Sequence, residues 1–263
     1  YEPVFMDCSH GFRPNRSCHT ALKDLKHQFH GTRWFIEGDI KGCFDNIDHQ
    51  TLMGVIGKKV KDARLHKLIW KFLKAGYLEE WEYHSTYSGT PQGGIISPLF
   101  ANIYLNELDK YVSTLAENFE KPGNTICTPE YGTIKRQRLK LSEAIKCATE
   151  PERTELLRQY KALHAQQLKT PYKSQTDKKI KYIRYADDFL IGVNGSKEDC
   201  VQLKRQLSKF IAGKLKMELS AEKTLITHSN TYARFLGYDV RVRRNGTVKH
   251  GAANHVKKRT LSN

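Results

Sequence analysis

Two short runs rich in β-branched and aromatic residues meet at a pair of acids in the last third of the chain. The runs cover residues 181–185 and 188–193, and Asp187 and Asp188 stand at their junction. Two such runs separated by a tight turn predict a β-hairpin. Hairpin turns usually carry Asn-Gly or Asp-Gly rather than adjacent acids. Acids alone would fit a solvent-exposed turn, but the apolar hairpin around them favours a function.

The order of the remaining segments predicts the fold class. Residues 34–40 read as a strand with Asp39 near its end, and amphipathic patterns predict helices over 61–75 and from Ser97 onward. The charged, apolar-poor stretch 117–181 reads as a helical insertion on the surface. Without it the order becomes βαββαβ. We therefore expect an α+β fold in which the first strand and the hairpin are neighbours in one antiparallel sheet.

Helix signals give more detailed expectations. Ser17, Asp48, Ser97 and Ser196 are candidate N-caps, and Pro98 suits a first helical position. Two apolar faces are expected to be buried. In the helix over 61–75 the inward residues are Leu65, Leu68, Ile69, Phe72 and Leu73. In the helix from Ser97 they are Leu99, Ile103, Leu108, Tyr111, Val112 and Leu115.

The predicted sheet brings three acids to one edge. Asp39 ends the first strand and Asp187 and Asp188 form the hairpin tip, so their carboxylates can meet there. Carboxylates crowded together raise one another's pKa unless cations separate them. Oxygen ligands together with substrate phosphates suit Mg²⁺, and two such ions form the usual device for phosphoryl displacement.

Composition narrows the class of partner. The chain has 44 Lys+Arg against 28 Asp+Glu, a formal net charge of +16. Such an excess attracts polyanions, with nucleic acid the main candidate and an anionic membrane surface the alternative. No apolar run approaches the roughly 20 residues of a spanning helix, so an integral membrane protein is not expected. The six cysteines form no CxxC pair, which favours free thiols over zinc or disulfides.

Six sequence blocks, in order, carry a resemblance to group II intron-encoded reverse transcriptases, also called maturases. The most specific is Tyr185-Ala186-Asp187-Asp188, which is similar to the YxDD box of that family. The other five blocks are 9–17 (SHGFRPNRS), 38–45 (GDIKGCFD), 89–94 (GTPQGG), 219–224 (LSAEKT) and 235–238 (FLGY). The resemblance implies a polymerase palm with partial helical fingers.

The resemblance also implies roles for individual residues. The catalytic metal ligands would be Asp39, Asp187 and Asp188, helped by the backbone carbonyl of Ile40. The incoming dNTP would contact Lys41, Gly42, Cys43, Phe44, Gln92 and Lys223. In this set Phe44 matches the steric gate against a 2′-OH, and amides near Lys41 to Cys43 would receive the triphosphate. Phe44 could also be plain core, and Lys223 could pair with a surface acid.

Two further groups are implied to touch nucleic acid. The loop that grips the primer end matches Phe235, Leu236, Gly237 and Tyr238. Arg13 and Arg16 would lie beside the template, where phosphate contacts give affinity without sequence choice.

The implied organisation follows the same resemblance. The segments would be partial fingers (1–33), palm with fingers-side helices (34–116), helical insertion (117–181), palm with the hairpin (182–240) and a basic segment towards a thumb (241–263). Compared with the family pattern, the chain looks like a fragment without the earlier fingers segments and the thumb. Such a fragment could form a homodimer.

The resemblance implies RNA-directed DNA polymerisation with two Mg²⁺ ions, Mn²⁺ being able to substitute. The partners would be an RNA template, intron RNA, a DNA or RNA primer and dNTPs, with no membrane. The expected location is the bacterial cytoplasm, with an organelle as the alternative. A second hypothesis is an RNA-binding splicing cofactor that is inactive as a polymerase. A third is a retron, diversity-generating or viral polymerase, which the Ala of the acid box and the insertion disfavour.

Overall fold

A computed structural model describes most of the chain, and the chain divides into two compact units. The described residues are 1–79, 82–84, 88–90, 94–121, 126–170, 173–174, 177–244 and 259–262. Unit 1 joins Tyr1–Glu120 to Lys179–Arg243 and Leu261–Asn263. Unit 2 joins Lys121–Lys178 to Arg244–Thr260.

The described residues form helices and strands in the following order along the chain. After a 3-10 turn at Glu2–Val4, the helices are α1 (Cys18–Gln28), α2 (His49–Lys59), α3 (Ala63–Lys74), α4 (Ser97–Phe119), α5 (Pro129–Cys147), α6 (Glu152–Lys169) and α7 (Lys197–Leu215). The strands are β1 (Trp34–Gly38), β2 (Tyr77–Glu79), β3 (Glu82–His84), β4 (Ile126–Cys127), β5 (Lys173–Ser174), β6 (Lys179–Tyr185), β7 (Asp188–Asn194), β8 (Ile226–His228), β9 (Ala233–Phe235), β10 (Tyr238–Arg244) and β11 (Arg259–Ser262).

An antiparallel sheet with the strand order β6-β7-β1-β8 forms the centre of unit 1. The hairpin β6–β7 closes where Tyr185 pairs with Asp188, and β1 ends where Gly38 pairs with Phe189. The α+β fold, the hairpin and its pairing with the first strand are therefore confirmed. This register places the end of β1 beside the hairpin tip.

Alternate side chains of the sheet enter two separate apolar clusters, as the two-residue period of a strand requires. Ile36, Phe189 and Ile191 pack with buried residues of α2, α3, α4 and α7. Phe35 and Leu190 pack with α1 and with β9 and β10. Both faces of the sheet are thus covered, and apolar residues pack on both faces of β1.

The predicted N-caps are confirmed at three of four positions. Ser17 and Ser196 form capping boxes at α1 and α7, and Asp48 accepts the Thr51 N–H at α2. At α4 the prediction was wrong by one residue. Ser97 is the first residue of the helix, and Ile96 is the N-cap. The Ser97 N–H donates to the Gly94 carbonyl.

The predicted buried face of α3 was too wide. The helix begins at Ala63 with Asp62 as N-cap, rather than at Lys61. Its buried residues are Ile69 and Leu73, whereas Leu65, Leu68 and Phe72 are 40%, 48% and 51% exposed. In α4 the same correction applies to Leu99, which is 42% exposed. Periodicity marks an apolar stripe, but only packing decides how much of the stripe is covered.

Unit 2 contains a pair of packed helices, α5 and α6, and the two-stranded pair β4–β5. Within these helices the buried side chains are Ile134 and Gln167. Helix α4 extends to Phe119 and β6 begins at Lys179, so the ends of the predicted insertion, 117 and 181, fall inside elements of unit 1. None of the helices in the described ranges combines the length and the apolar character that crossing a bilayer requires.

Candidate active site

Three aspartates approach one another at the edge of the central sheet. Asp39 directly follows β1, Asp187 lies in the turn of the hairpin, and Asp188 begins β7. Continuing the observed register by one pair beyond Gly38 and Phe189 sets Asp39 opposite Asp188. The Phe189 ring packs directly on the backbone of Gly38, because a Cβ on Gly38 would lie 2.1 Å from that ring.

The electrostatics of the three carboxylates show that they interact. Burial, with Asp187 and Asp39 nearby, raises the pKa of Asp188 to about 6, and a hydrogen bond to the Asp39 side chain acts in the same direction. Burial followed by the charge of Asp39 also raises the pKa of Asp187. Like charges held in a partly desolvated place favour protonation of one partner. A positive charge placed near these aspartates would therefore stabilise their ionised forms.

Lys223 supplies one positive charge at this place. Its Nζ lies 3.2 Å from the Asp39 Oδ2, and its pKa is raised by its hydrogen bond to Asp39. The segment before it is tied to the end of β1, since the Ser220 N–H donates to the Asp39 carbonyl and the Lys41 N–H donates to the Glu218 carbonyl. The sequence resemblance implied a dNTP contact for Lys223, which stays a prediction, and the structure pairs its ammonium group with Asp39.

The donor chemistry of the three aspartates fits a hard divalent cation, whose charge would offset the repulsion seen in their pKa values. Across the parts of the chain that the structure describes, however, no group of three or more His, Cys, Asp or Glu side chains is spaced to hold a metal ion as it stands. Ile40, the fourth expected ligand through its carbonyl, has a buried side chain and bridges to Leu219.

The turn after β1 holds the residues expected to meet a nucleotide. The Lys41 N–H is occupied by Glu218, so this amide does not fit the expected triphosphate contact, and that role stays a prediction for Gly42 and Cys43. Phe44 packs partly buried against the core, and its ring meets Phe12 edge-on at 6.4 Å between centroids.

The loop over residues 88–90 docks on the same turn. The Thr90 N–H donates to the Phe44 carbonyl at 2.7 Å, and the Gly89 N–H donates to Ile47. Gly89 has φ +81, and a Cβ there would lie 2.5 Å from the Asp45 carbonyl oxygen. Only glycine suits both constraints. Gln92, the expected dNTP contact of this block, lies outside the described residues.

The expected primer-gripping residues form the turn of the β9–β10 hairpin. Phe235 pairs with Tyr238 around Leu236 and Gly237, whose φ values are 52 and 80. Phe235 is buried, whereas Tyr238 is 49% exposed. Glu37 in β1 anchors this hairpin by accepting the Arg234 N–H at 2.8 Å. The primer-gripping role stays a prediction.

Arg13 and Arg16 make contacts within the protein. The Arg13 side chain is 5% exposed, pairs with Glu2 and donates to the carbonyls of Met6 and Ser9. The Arg16 guanidinium donates to the backbone carbonyl and to the side-chain carboxylate of Asp7. Both guanidinium groups therefore brace the N-terminal segment, and template contact stays a prediction for them.

Sequence reasoning missed a buried charge behind the hairpin tip. Arg184 in β6 and Asp109 in α4 are both wholly buried and bound to each other. Gly11 also lies there, because a Cβ on it would stand 2.3 Å from the Ala186 nitrogen. An arginine directly before the acid box, among the tyrosines and isoleucines of β6, was the available signal, but its partner lies 75 positions away.

Comparison with known proteins identifies the family of the chain. The sequence pattern of the family described as reverse transcriptase (RNA-dependent DNA polymerase) matches residues 2–127 and 158–240. The chain belongs to this reverse transcriptase family. The palm-type fold expected from the sequence is thereby confirmed.

Individual relatives place the chain more closely. It is 59% identical, over its whole length, to the group II intron-encoded protein LtrA of Lactococcus lactis subsp. cremoris, of which it covers 43%. It is 32% identical over 90% of its length to protein YkfC of Escherichia coli, of which it covers 56%. A telomerase of Candida albicans, solved with a fragment of telomeric RNA, shares the fold at a TM-score of 0.50 and 14% identity. That match covers 92% of this chain and 34% of the telomerase.

Proposed function

We propose that the chain carries the polymerisation site of a group II intron-encoded reverse transcriptase. The observation that carries this is the meeting of Asp39 with Asp187 and Asp188 at one sheet edge, with Lys223 at 3.2 Å from Asp39. Membership of the reverse transcriptase family and the identity to LtrA support it. Because the chain spans 43% of that relative, activity, substrates and partners are proposed rather than transferred.

The proposed reaction joins a dNTP to the 3′-OH of a primer paired with an RNA template. The primer 3′-OH loses its proton to solvent as its oxygen forms a bond to the α-phosphorus, the bond from that phosphorus to the oxygen bridging the α- and β-phosphates breaks, and pyrophosphate leaves. When bound, divalent cations supply positive charge to the attacking and leaving oxygens. Mg²⁺ is the proposed ion. Asp39, Asp187 and Asp188 would hold the cations, and Lys223 would keep the Asp39 carboxylate oriented.

Phe44 and the β9–β10 hairpin have proposed positioning roles. The Phe44 ring would pack against the sugar of the dNTP and exclude a 2′-OH, and Phe12 contacts that ring edge-on at 6.4 Å between centroids. Tyr238, half exposed at the hairpin turn, would contact the primer end.

Primer extension by the protein that carries this chain tests the proposal. Asp187→Asn should abolish extension of a DNA primer on an RNA template, because it removes one anionic donor while keeping the size of the side chain. Asp177→Asn, an acidic residue in unit 2, is the matched control and should extend at the wild-type rate. Undiminished extension by Asp187→Asn would refute the assignment.

RNA binding with a maturase role is a second proposed function. The observation that favours it is the basic surface of unit 2, where Lys135, Arg136, Lys140 and Lys161 are exposed on α5 and α6. The logarithm of the binding constant for intron RNA should fall linearly with the logarithm of the salt concentration. Binding should survive Asp187→Asn.

We propose the bacterial cytoplasm as the location of the protein, with an organelle as the alternative.

A further inference from the structure

Arg184 is a fully buried cation three positions before the Asp187 of the hairpin tip. Its side chain and that of Asp109 are both 0% exposed. The guanidinium binds Asp109 through two hydrogen bonds, from Nε at 2.7 Å and from Nη2 at 2.6 Å. Tyr182 donates a third bond to the same carboxylate at 2.9 Å. Asp109 thus ties two residues of β6 to the interior side of α4.

The remaining donors of Arg184 reach the back of the hairpin tip. Nη1 donates to the Ala186 carbonyl at 2.7 Å, and Nη2 donates to the Ser9 hydroxyl at 2.8 Å. Ala186 has φ 54, a left-handed conformation that costs energy in a residue with a Cβ. Its carbonyl precedes the Asp187 amide, so the bond from Arg184 fixes the peptide unit that aims Asp187.

Asn102 in α4 connects Arg184 with the segment around Gly11. Its Oδ1 accepts from Arg184 Nη1 at 3.2 Å, and its Nδ2 donates to the Gly11 carbonyl at 2.8 Å. Gly11 in turn stands against the backbone of Ala186. The tip is therefore held from behind by α4, by β6 and by the segment around Ser9, all through one guanidinium.

A buried ion pair is weak evidence for a stabilising role, because apolar residues of similar volume often serve stability as well or better. Here the guanidinium fork makes five hydrogen bonds, and one of them ends on the peptide before the proposed metal ligands. Lysine cannot reproduce that fork. The arrangement therefore suits orientation better than stability alone.

We propose that Arg184, held by Asp109, is a positioning residue that sets the hairpin tip so that Asp187 and Asp188 can share cations with Asp39. This role rests on the proposed polymerase function. Arg184 touches neither a nucleotide nor a primer in this scheme. It acts through its hydrogen bond to the Ala186 carbonyl at 2.7 Å.

The test compares Arg184→Lys with wild type in the absence of nucleic acid and nucleotide. Hydrogen exchange of the amides over 185–188 is followed in metal-free protein, and Mn²⁺ binding is followed by electron paramagnetic resonance. Arg184→Lys should speed exchange at the tip and weaken Mn²⁺ binding by about 10–100-fold, the usual effect of losing an outer-shell partner. Wild-type exchange and wild-type Mn²⁺ affinity in a folded Arg184→Lys protein would overturn the inference.

A matched control separates positioning from general stability. Tyr104 is also a fully buried residue of α4, and its hydroxyl donates to the Leu215 carbonyl at 2.7 Å and is not among the hydrogen-bond partners of Arg184. Tyr104→Phe should lower the melting temperature while leaving tip exchange and Mn²⁺ affinity unchanged. Equal shifts in Tyr104→Phe and Arg184→Lys would assign Arg184 a structural role only and overturn the inference.

A second variant covers the case in which Arg184→Lys does not fold. Ser9→Ala removes one acceptor at the edge of the network and keeps the ion pair, so tip exchange should rise by a smaller factor. Unchanged exchange in Ser9→Ala would then overturn the inference. If Arg184→Lys or Ser9→Ala loosens the tip as expected but the wild-type protein does not extend a primer, the result contradicts the proposed function and leaves the positioning role of Arg184 standing.

Discussion

Gly11→Ala is expected to disturb the hairpin tip although residue 11 is far from the aspartates in sequence. A Cβ at this position would lie 2.3 Å from the Ala186 nitrogen, 3.0 Å from its Cα and 3.1 Å from the Tyr185 carbonyl carbon. All three atoms belong to backbone, so no side-chain rotation relieves the overlap. Either the segment around Gly11 or the tip of β6–β7 must move.

The size of the effect follows from the cost of overpacking, typically about 1–3 kcal/mol. In a protein of this size each kcal/mol lowers the melting temperature by about 2–4 °C, so a loss of roughly 2–12 °C is expected. Thermal unfolding followed by circular dichroism measures it. Faster hydrogen exchange over 185–188 should accompany the loss, because the displaced contact lies at the tip.

Gly54→Ala is the matched control, since it makes the same chemical change in the exposed face of α2. No atom lies within 4 Å of a Cβ placed there, and alanine exceeds glycine in helix stability by about 0.8–1 kcal/mol. Its melting temperature should rise. A Gly11→Ala protein as stable as wild type, or a Gly54→Ala protein that loses as much, would refute the steric reasoning.

Two further outcomes are expected. Burial and the nearby Arg16 lower the pKa of His10, so its neutral form favours folding. The stability it contributes is complete above its unfolded pKa of about 6.5 and is lost as the pH falls through the lower folded value. His10→Gln should flatten that acid loss in urea titrations over this window, and an unchanged slope would contradict it. Phe44→Ala should admit ribonucleotides in primer extension, and unaltered sugar selectivity would remove the gate role.

The hairpin was predictable because its signal is local. Two β-rich runs around Asp187 and Asp188 allow few other structures, and the helices capped by Ser17, Asp48 and Ser196 begin where their caps indicate. Each of these features depends on residues a few positions apart. The meeting of Asp39 with the tip needed one further assumption, that the strands share an antiparallel sheet.

Other features could not be inferred from the pattern. The exposure of Leu65, Leu68 and Phe72 depends on which flank of α3 meets its neighbours, which periodicity does not encode. Likewise, the Lys41 amide is occupied because Glu218, far along the chain, arrives beside it. These outcomes depend on long-range packing.

The amino-acid sequence alone therefore determined the α+β class, the hairpin with its two acids and the basic character of the chain. These follow from short-range periodicity, capping and charge. Only the tertiary structure decided that Arg184 and Asp109 bind each other beneath the tip and that the Glu218 carbonyl accepts the Lys41 N–H. Partners so distant in sequence meet only when the whole sheet and its helices close around them.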